Sequence, residues 1–206
     1  MMRLAAAVVF LLANIAGDAG VLVHADRRLF AAVRSGSPEK VRHQLDVEGH
    51  HHDFQDEHGR SLLLLAASHG HTEIGRLLID RGCNVNALSK EGRTALHNAA
   101  YLGHTEFVKM LLEHDDIEID HQEKRFGFTP LLKALNERHE EIARMLIAAG
   151  ADVHLKAKNG WDALAVAERH KLHLKDLHEH VLDHVHSLRE KARQEDAAAS
   201  RQSEEL

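Results

Sequence analysis

The chain has 206 residues, 44% hydrophobic, 28% charged and only 4% aromatic. That is a globular composition, and the length suits one domain or one short repeat array. A single Cys excludes an intramolecular disulfide framework and a Cys-rich zinc module, and the formal net charge of −6 argues against a phosphate-binding surface, since nucleic-acid binders usually show a basic face.

In chain order, the first feature is Arg3 followed by an apolar run from Leu4 to Ala13 that continues through Ile15 and Ala16. The run is short for a membrane span but has the length of a secretory h-region, with Arg3 as its basic flank. Val23 and Ala25 occupy −3 and −1 of a cut before Asp26, so residues 1–25 read as a signal-peptide-like segment; a retained hydrophobic helix or anchor is the alternative. No stable membrane span is expected once it is removed.

A repeat follows. Gly59, Gly92, Gly127 and Gly160 lie 33, 35 and 33 residues apart, each before a polar-to-apolar motif: Gly59-Arg60-Ser61-Leu62, Gly92-Arg93-Thr94-Ala95-Leu96-His97, Gly127-Phe128-Thr129-Pro130-Leu131 and Gly160-Trp161-Asp162-Ala163-Leu164. Gly70-His71-Thr72-Glu73 recurs as Gly103-His104-Thr105-Glu106, and Gly82-Cys83-Asn84-Val85-Asn86 as Gly150-Ala151-Asp152-Val153-His154. Within a unit, Thr94 can cap a helix whose narrow stripe is Leu96, Ala99 and Ala100. Gly103 can end that helix at positive φ, and Phe107, Val108, Leu111 and Leu112 form the stripe of a second helix. One unit cannot bury these surfaces alone; stacked units can.

This pattern resembles the ankyrin repeat, which has a period of 33 and a T-P-L-H signature. The resemblance covers about residues 26–170 as four to five units, with a degenerate first unit (Leu29 to Gly36) and a last unit carrying Asp162 where Thr stands elsewhere. The 35-residue step places two extra residues near Asp120 to Phe126. It implies an all-α solenoid in which His71, His97 and His104 are framework residues bonding between turns. Cys83 reads as a small core residue.

Residues 171–193 are expected to form one amphipathic, His-rich helix: Leu174, Val181 and Leu188 are seven apart, and His173, His180 and His184 flank the stripe. His180 and His184 have a metal-compatible spacing, but no H-E-x-x-H accompanies them and no metal site is assigned. Residues 194–206 read as a flexible acidic tail. Its last four, Ser203-Glu204-Glu205-Leu206, resemble a K-D-E-L retention signal, which with the N-terminal segment points to the endoplasmic reticulum lumen or secretion; a cytoplasmic protein is the alternative. The 20 His make charge pH-sensitive: protonating all of them carries the chain from −6 to +14.

The resemblance implies a concave face built from hairpin tips and first helices, where family members contact partner proteins. Carried onto this chain, the protein-binding candidates are Arg60, His69, Arg93, Tyr101, Leu102, Arg125, Phe126, Phe128, Lys158 and Trp161. The only Tyr and the only Trp fall among them, and Trp, Tyr and Arg are the side chains that anchor interfaces. The expected function is a non-enzymatic protein-interaction adaptor, with no cofactor, no nucleic acid and no catalytic residue, because no nucleophile elbow, phosphate loop or catalytic ligand set occurs. The second reading is a pH- or metal-responsive adaptor using His50, His51, His52, His58 and the His-rich helix.

Overall fold

A computed structural model describes residues 19–46 and 54–172. Helices come in pairs: α1 (Ala19–Arg34) with α2 (Pro38–Asp46), α3 (Leu62–His69) with α4 (Thr72–Ile79), α5 (Ala95–Leu102) with α6 (Thr105–Leu112), and α7 (Pro130–Asn136) with α8 (Glu140–Ala148), followed by α9 (Ala163–His170). The first helices α1, α3, α5, α7 and α9 pack side by side in one row, and α2, α4, α6 and α8 form a second row behind them. Among the described residues this is an all-α stack of the expected kind.

The start of each unit follows from one side chain. Ser61, Thr94, Thr129 and Asp162 have extended backbone, and their side-chain oxygens accept from the N–H three residues on, at 3.0–3.3 Å. Asp162 therefore does the work of the Thr it replaces, as acceptor-bearing caps do in general. Helix α3 is apolar all round, Leu62 to Ala67, because α1, α5 and α4 cover it on three sides. In α6 the expected stripe is buried at Phe107, Val108 and Leu111, Leu112 is half-buried, and Met110 joins them. Each such buried side chain contributes roughly 1.5–3 kcal/mol relative to exposure.

The link between units is a glycine facing a histidine. Gly36, Gly70 and Gly103 end first helices at φ 67°, 69° and 79°. The rings of His71, His104 and His139, one unit later, lie against them so closely that a Cβ would fall 2.6–2.7 Å from a ring atom. His71 Nε2 lies 3.3 Å from the Arg34 carbonyl and His139 Nε2 lies 3.1 Å from that of Tyr101. Arg138 holds the same backbone position in the fourth unit at φ 63°. It can carry a side chain there because the next unit has Leu172 where the others have His.

Helix α1 already begins at Ala19, so the expected boundary between Ala25 and Asp26 falls inside a helix. Lys171 (φ 51°) terminates α9 rather than opening a further helix, and the rest of the expected 171–193 helix lies outside the described residues, as do residues 1–18, the His50–His52 loop and the tail. No helix among the described residues is long and apolar enough to cross a membrane.

Candidate protein-binding face

Each unit is joined to its predecessor at the tip preceding the first helix. The carbonyls of His58, Glu91 and Phe126 accept from the N–H of Lys90, Lys124 and Lys158, at 3.1, 2.9 and 2.8 Å. The fourth tip is the irregular one. It reads Lys124-Arg125-Phe126-Gly127 where its neighbours read Lys90-Glu91-Gly92 and Lys158-Asn159-Gly160. One extra residue of the 35-residue step is thus Arg125; the other falls before Ile117, since Val85, Ile119 and Val153 keep a constant spacing of 34.

Two adjoining concavities open between the tips and the first helices. One, of about 270 Å³, lies between Arg60, Lys90 and Arg93; the other, of about 290 Å³, lies between Tyr101, Phe126, Phe128 and Lys133, and the two share Arg93 and Asn98. Tyr101 and Phe126, each 46% exposed, face solvent around the second concavity, and Leu102, 43% exposed, follows Tyr101 at the end of α5. Arg125 covers one side of the Phe126 ring with its guanidinium 4.8 Å from the centroid.

The other expected site residues divide. His69 is exposed and stacks on His71 with ring centroids 5.6 Å apart, and Lys158 is exposed at the fifth tip. Arg60 is held by Asp56 at 2.6 Å, and Arg93 by Glu91 at 3.0 Å and Glu123 at 2.8 Å, so both guanidinium groups already have carboxylate partners. Phe128 and Trp161 are half-buried against the core, with the Arg169 guanidinium 4.6 Å above the indole. Their truncation would therefore disturb packing as well as any contact with a partner, which makes Tyr101 and Phe126 the better probes of binding.

Under the face lies a polar centre that sequence reasoning missed. Glu123 is buried, with Lys133 Nζ 3.0 Å from one oxygen and Arg93 Nε 2.8 Å from the other. Burial alone would raise this carboxyl, but the hydrogen bonds from Arg93 and Lys133 outweigh it and hold the group below its ordinary range. Lys133 Nζ also sits 5.1 Å from the Phe128 ring and 5.6 Å from the Tyr101 ring. The side chains that shape the second concavity are thus fixed from beneath by an ion pair.

His97 is buried as well. Its Nε2 lies 3.0 Å from the Phe128 carbonyl, which can only accept, so Nε2 carries the proton and donates. Nδ1 then accepts from Thr94 N–H at 3.3 Å and from the Thr94 hydroxyl at 2.9 Å, completing a capping box with His in the place usually held by Glu or Gln. Burial lowers its pKa to about 4 against the opposing pull of the Phe128 carbonyl. The folded protein therefore keeps His97 neutral while the unfolded chain takes up a proton below pH 6.5. The sign is unambiguous: stability is lost as pH falls from 6.5 toward 4, by an amount on the order of 3 kcal/mol at the low end. Imidazole NMR titration checks the cause, and a His97 ring that titrates near 6.5 in the folded protein would refute it.

Comparison with known proteins agrees with this architecture. A family model for ankyrin repeats in three copies matches residues 29–123, and a single ankyrin-repeat model matches residues 126–158. Over 135 residues, 66% of this chain, the sequence is 34% identical to the mouse protein called ankyrin repeat and SAM domain-containing protein 6 and 33% identical to the rat protein of that name. The chain spans 11% of the length of those relatives. With caps, turns and histidines repeating in register over the matched span, the chain belongs to the ankyrin-repeat family.

Proposed function

We propose that this chain is a non-enzymatic interaction module that holds a partner protein along the face formed by its tips and first helices. The observation that carries the reading is the exposure of Tyr101 and Phe126 around one concavity, backed by a fixed ionic centre. Aromatic side chains on a rigid frame bury large area at low entropic cost, which is the usual composition of binding hot spots. The relatives named for ankyrin repeats point the same way.

Tyr101→Ala with Phe126→Ala removes two exposed rings and should leave the fold intact. The partner recovered by proximity labelling and confirmed by direct titration with the purified chain should bind this variant at least about 10-fold more weakly. Glu106→Ala with Lys109→Ala, on the exposed side of α6, should bind as the parent does. Equal affinity of the first variant and loss in the second would move the site to the opposite face. The pH- or metal-responsive alternative draws on His50, His51, His52 and the 171–193 segment outside the described residues, with only His58 placed, exposed beside Glu57.

A further inference from the structure

The net charge of −6 conceals a segregation that the solenoid creates. The tips and first helices (27–37, 54–70, 87–103, 121–138 and 156–171) carry fourteen Lys and Arg against seven Asp and Glu. The second helices and the loops behind them (38–46, 71–86, 104–120 and 139–155) carry six against thirteen. One face is therefore cationic by seven charges and the opposite face anionic by seven. The excess on the cationic face is greatest at the first unit and at the fourth and fifth, and the last two also bring Phe126, Phe128 and Trp161.

Within that face one cation recurs in register. Lys90, Lys124 and Lys158 are 34 residues apart, all exposed, at the same point of three successive tips. The Lys124 amine donates to the Lys90 carbonyl at 3.3 Å, and the Lys158 amine donates to the Lys124 carbonyl. The Lys124 and Lys158 side chains thus lie along the line of tips and reach back to the preceding unit. Packed helices sit about 8–10 Å apart, and a chain in the extended polyproline II conformation advances about 3.1 Å per residue with three residues per turn, so every third side chain shares one face. Three residues of an extended partner therefore match one unit.

Resting on the reading of this face as the binding site, we infer that its partner is an extended acidic segment of another protein, with carboxylates at every third residue meeting the lysine row and apolar side chains entering the concavity beside Tyr101 and Phe126. Single-stranded nucleic acid fits less well: its phosphates follow one another more closely than one per unit, and seven acidic side chains share the face. The anionic opposite face also supplies an orientation effect, since an acidic partner is repelled there and attracted here, which raises the rate of productive encounter at low salt.

Random-peptide display on the full 206-residue chain tests this, with Lys90→Glu/Lys124→Glu/Lys158→Glu as counter-target and the triple Lys→Arg chain as control. The expected result is enrichment of peptides with Asp or Glu recurring at three-residue intervals and at least one apolar residue. These should bind the Lys→Arg chain as they bind the parent and the Lys→Glu chain at least 10-fold more weakly, with affinity falling as salt rises. Enriched peptides without an acidic excess, or ones that bind the Lys→Glu chain equally, overturn the acidic-partner inference while leaving the interaction-module reading standing. Enrichment of nothing overturns both. A 20-nucleotide oligothymidylate that binds more tightly than the best acidic peptide replaces the protein partner with a nucleic acid.

Discussion

Glu123→Gln should lower the unfolding free energy by about 2–4 kcal/mol, among the larger effects of any single substitution here. The amide still fills the site, so the cost is electrostatic. Lys133, whose side chain is only 10% exposed, would lose the carboxylate 3.0 Å from its ammonium and remain enclosed between two rings. Those rings offset part of the loss, since a cation over an aromatic face is stabilised by roughly 0.5–2 kcal/mol. Arg93 contributes less, because its side chain is about one-third exposed and keeps Glu91 at 3.0 Å. Urea unfolding gives the magnitude, and a double-mutant cycle gives the cause. Lys133→Met in the Glu123→Gln background should recover most of the loss, because replacing both partners of a buried pair by uncharged groups is often near neutral while breaking it is not. Strict additivity of the two changes would show that the pair does not interact. The pH dependence carries the same signature. The Glu123 carboxyl is held below 4.5, so its contribution is present above that value and lost as pH falls through its lower folded value. The double variant should lose this acid-sensitive component and keep the one that His97 produces between pH 6.5 and 4.

The frame was legible because its signals are local. Thr94, Leu96, Gly103 and Phe107 each fall within about two helical turns of the next, and their spacing reports helix, cap and stop without knowledge of any other unit. Glu123 was not legible for the opposite reason. Its partners lie 30 residues before it and 10 after it, in two different units, and a Glu beside Lys124 and Arg125 reads as solvated tip. The aromatic side chains show the limit more finely. Phe126 and Phe128 give the same signal in sequence, yet Phe126, beside the extra residue Arg125, is 46% exposed. Phe128, whose carbonyl accepts from both Glu123 N–H and His97 Nε2–H, is tied to the core. The charge segregation is invisible to composition because the excesses on the two faces cancel; it needs the assignment of every segment to one row of helices or the other.

The glycine–histidine step makes an asymmetric prediction for two positions with nearly the same backbone. Gly103→Ala should cost about 2–4 kcal/mol. The left-handed conformation at φ 79° accounts for about 1 kcal/mol of this. The remainder comes from a Cβ placed 2.6 Å from His139 Cε1, which must displace the ring and with it the Nε2 contact to the Tyr101 carbonyl. Because His139 stands at the N-terminus of α8, the damage falls on the junction between the third and fourth units, and in a stack stabilised by neighbour contacts a weakened junction lets the two halves unfold at different denaturant concentrations. Arg138→Gly, at φ 63°, should instead be neutral or stabilise by up to about 1 kcal/mol, since the next unit has Leu172 in place of the facing histidine and the exposed contact of Arg138 to His170, at 3.4 Å, is worth little. Urea unfolding of both variants decides the matter. A Gly103→Ala chain within about 0.5 kcal/mol of the parent would show that the ring moves aside freely. His139→Ala should be less harmful in the Gly103→Ala background than in the parent, because the ring it removes is the one the new methyl strikes.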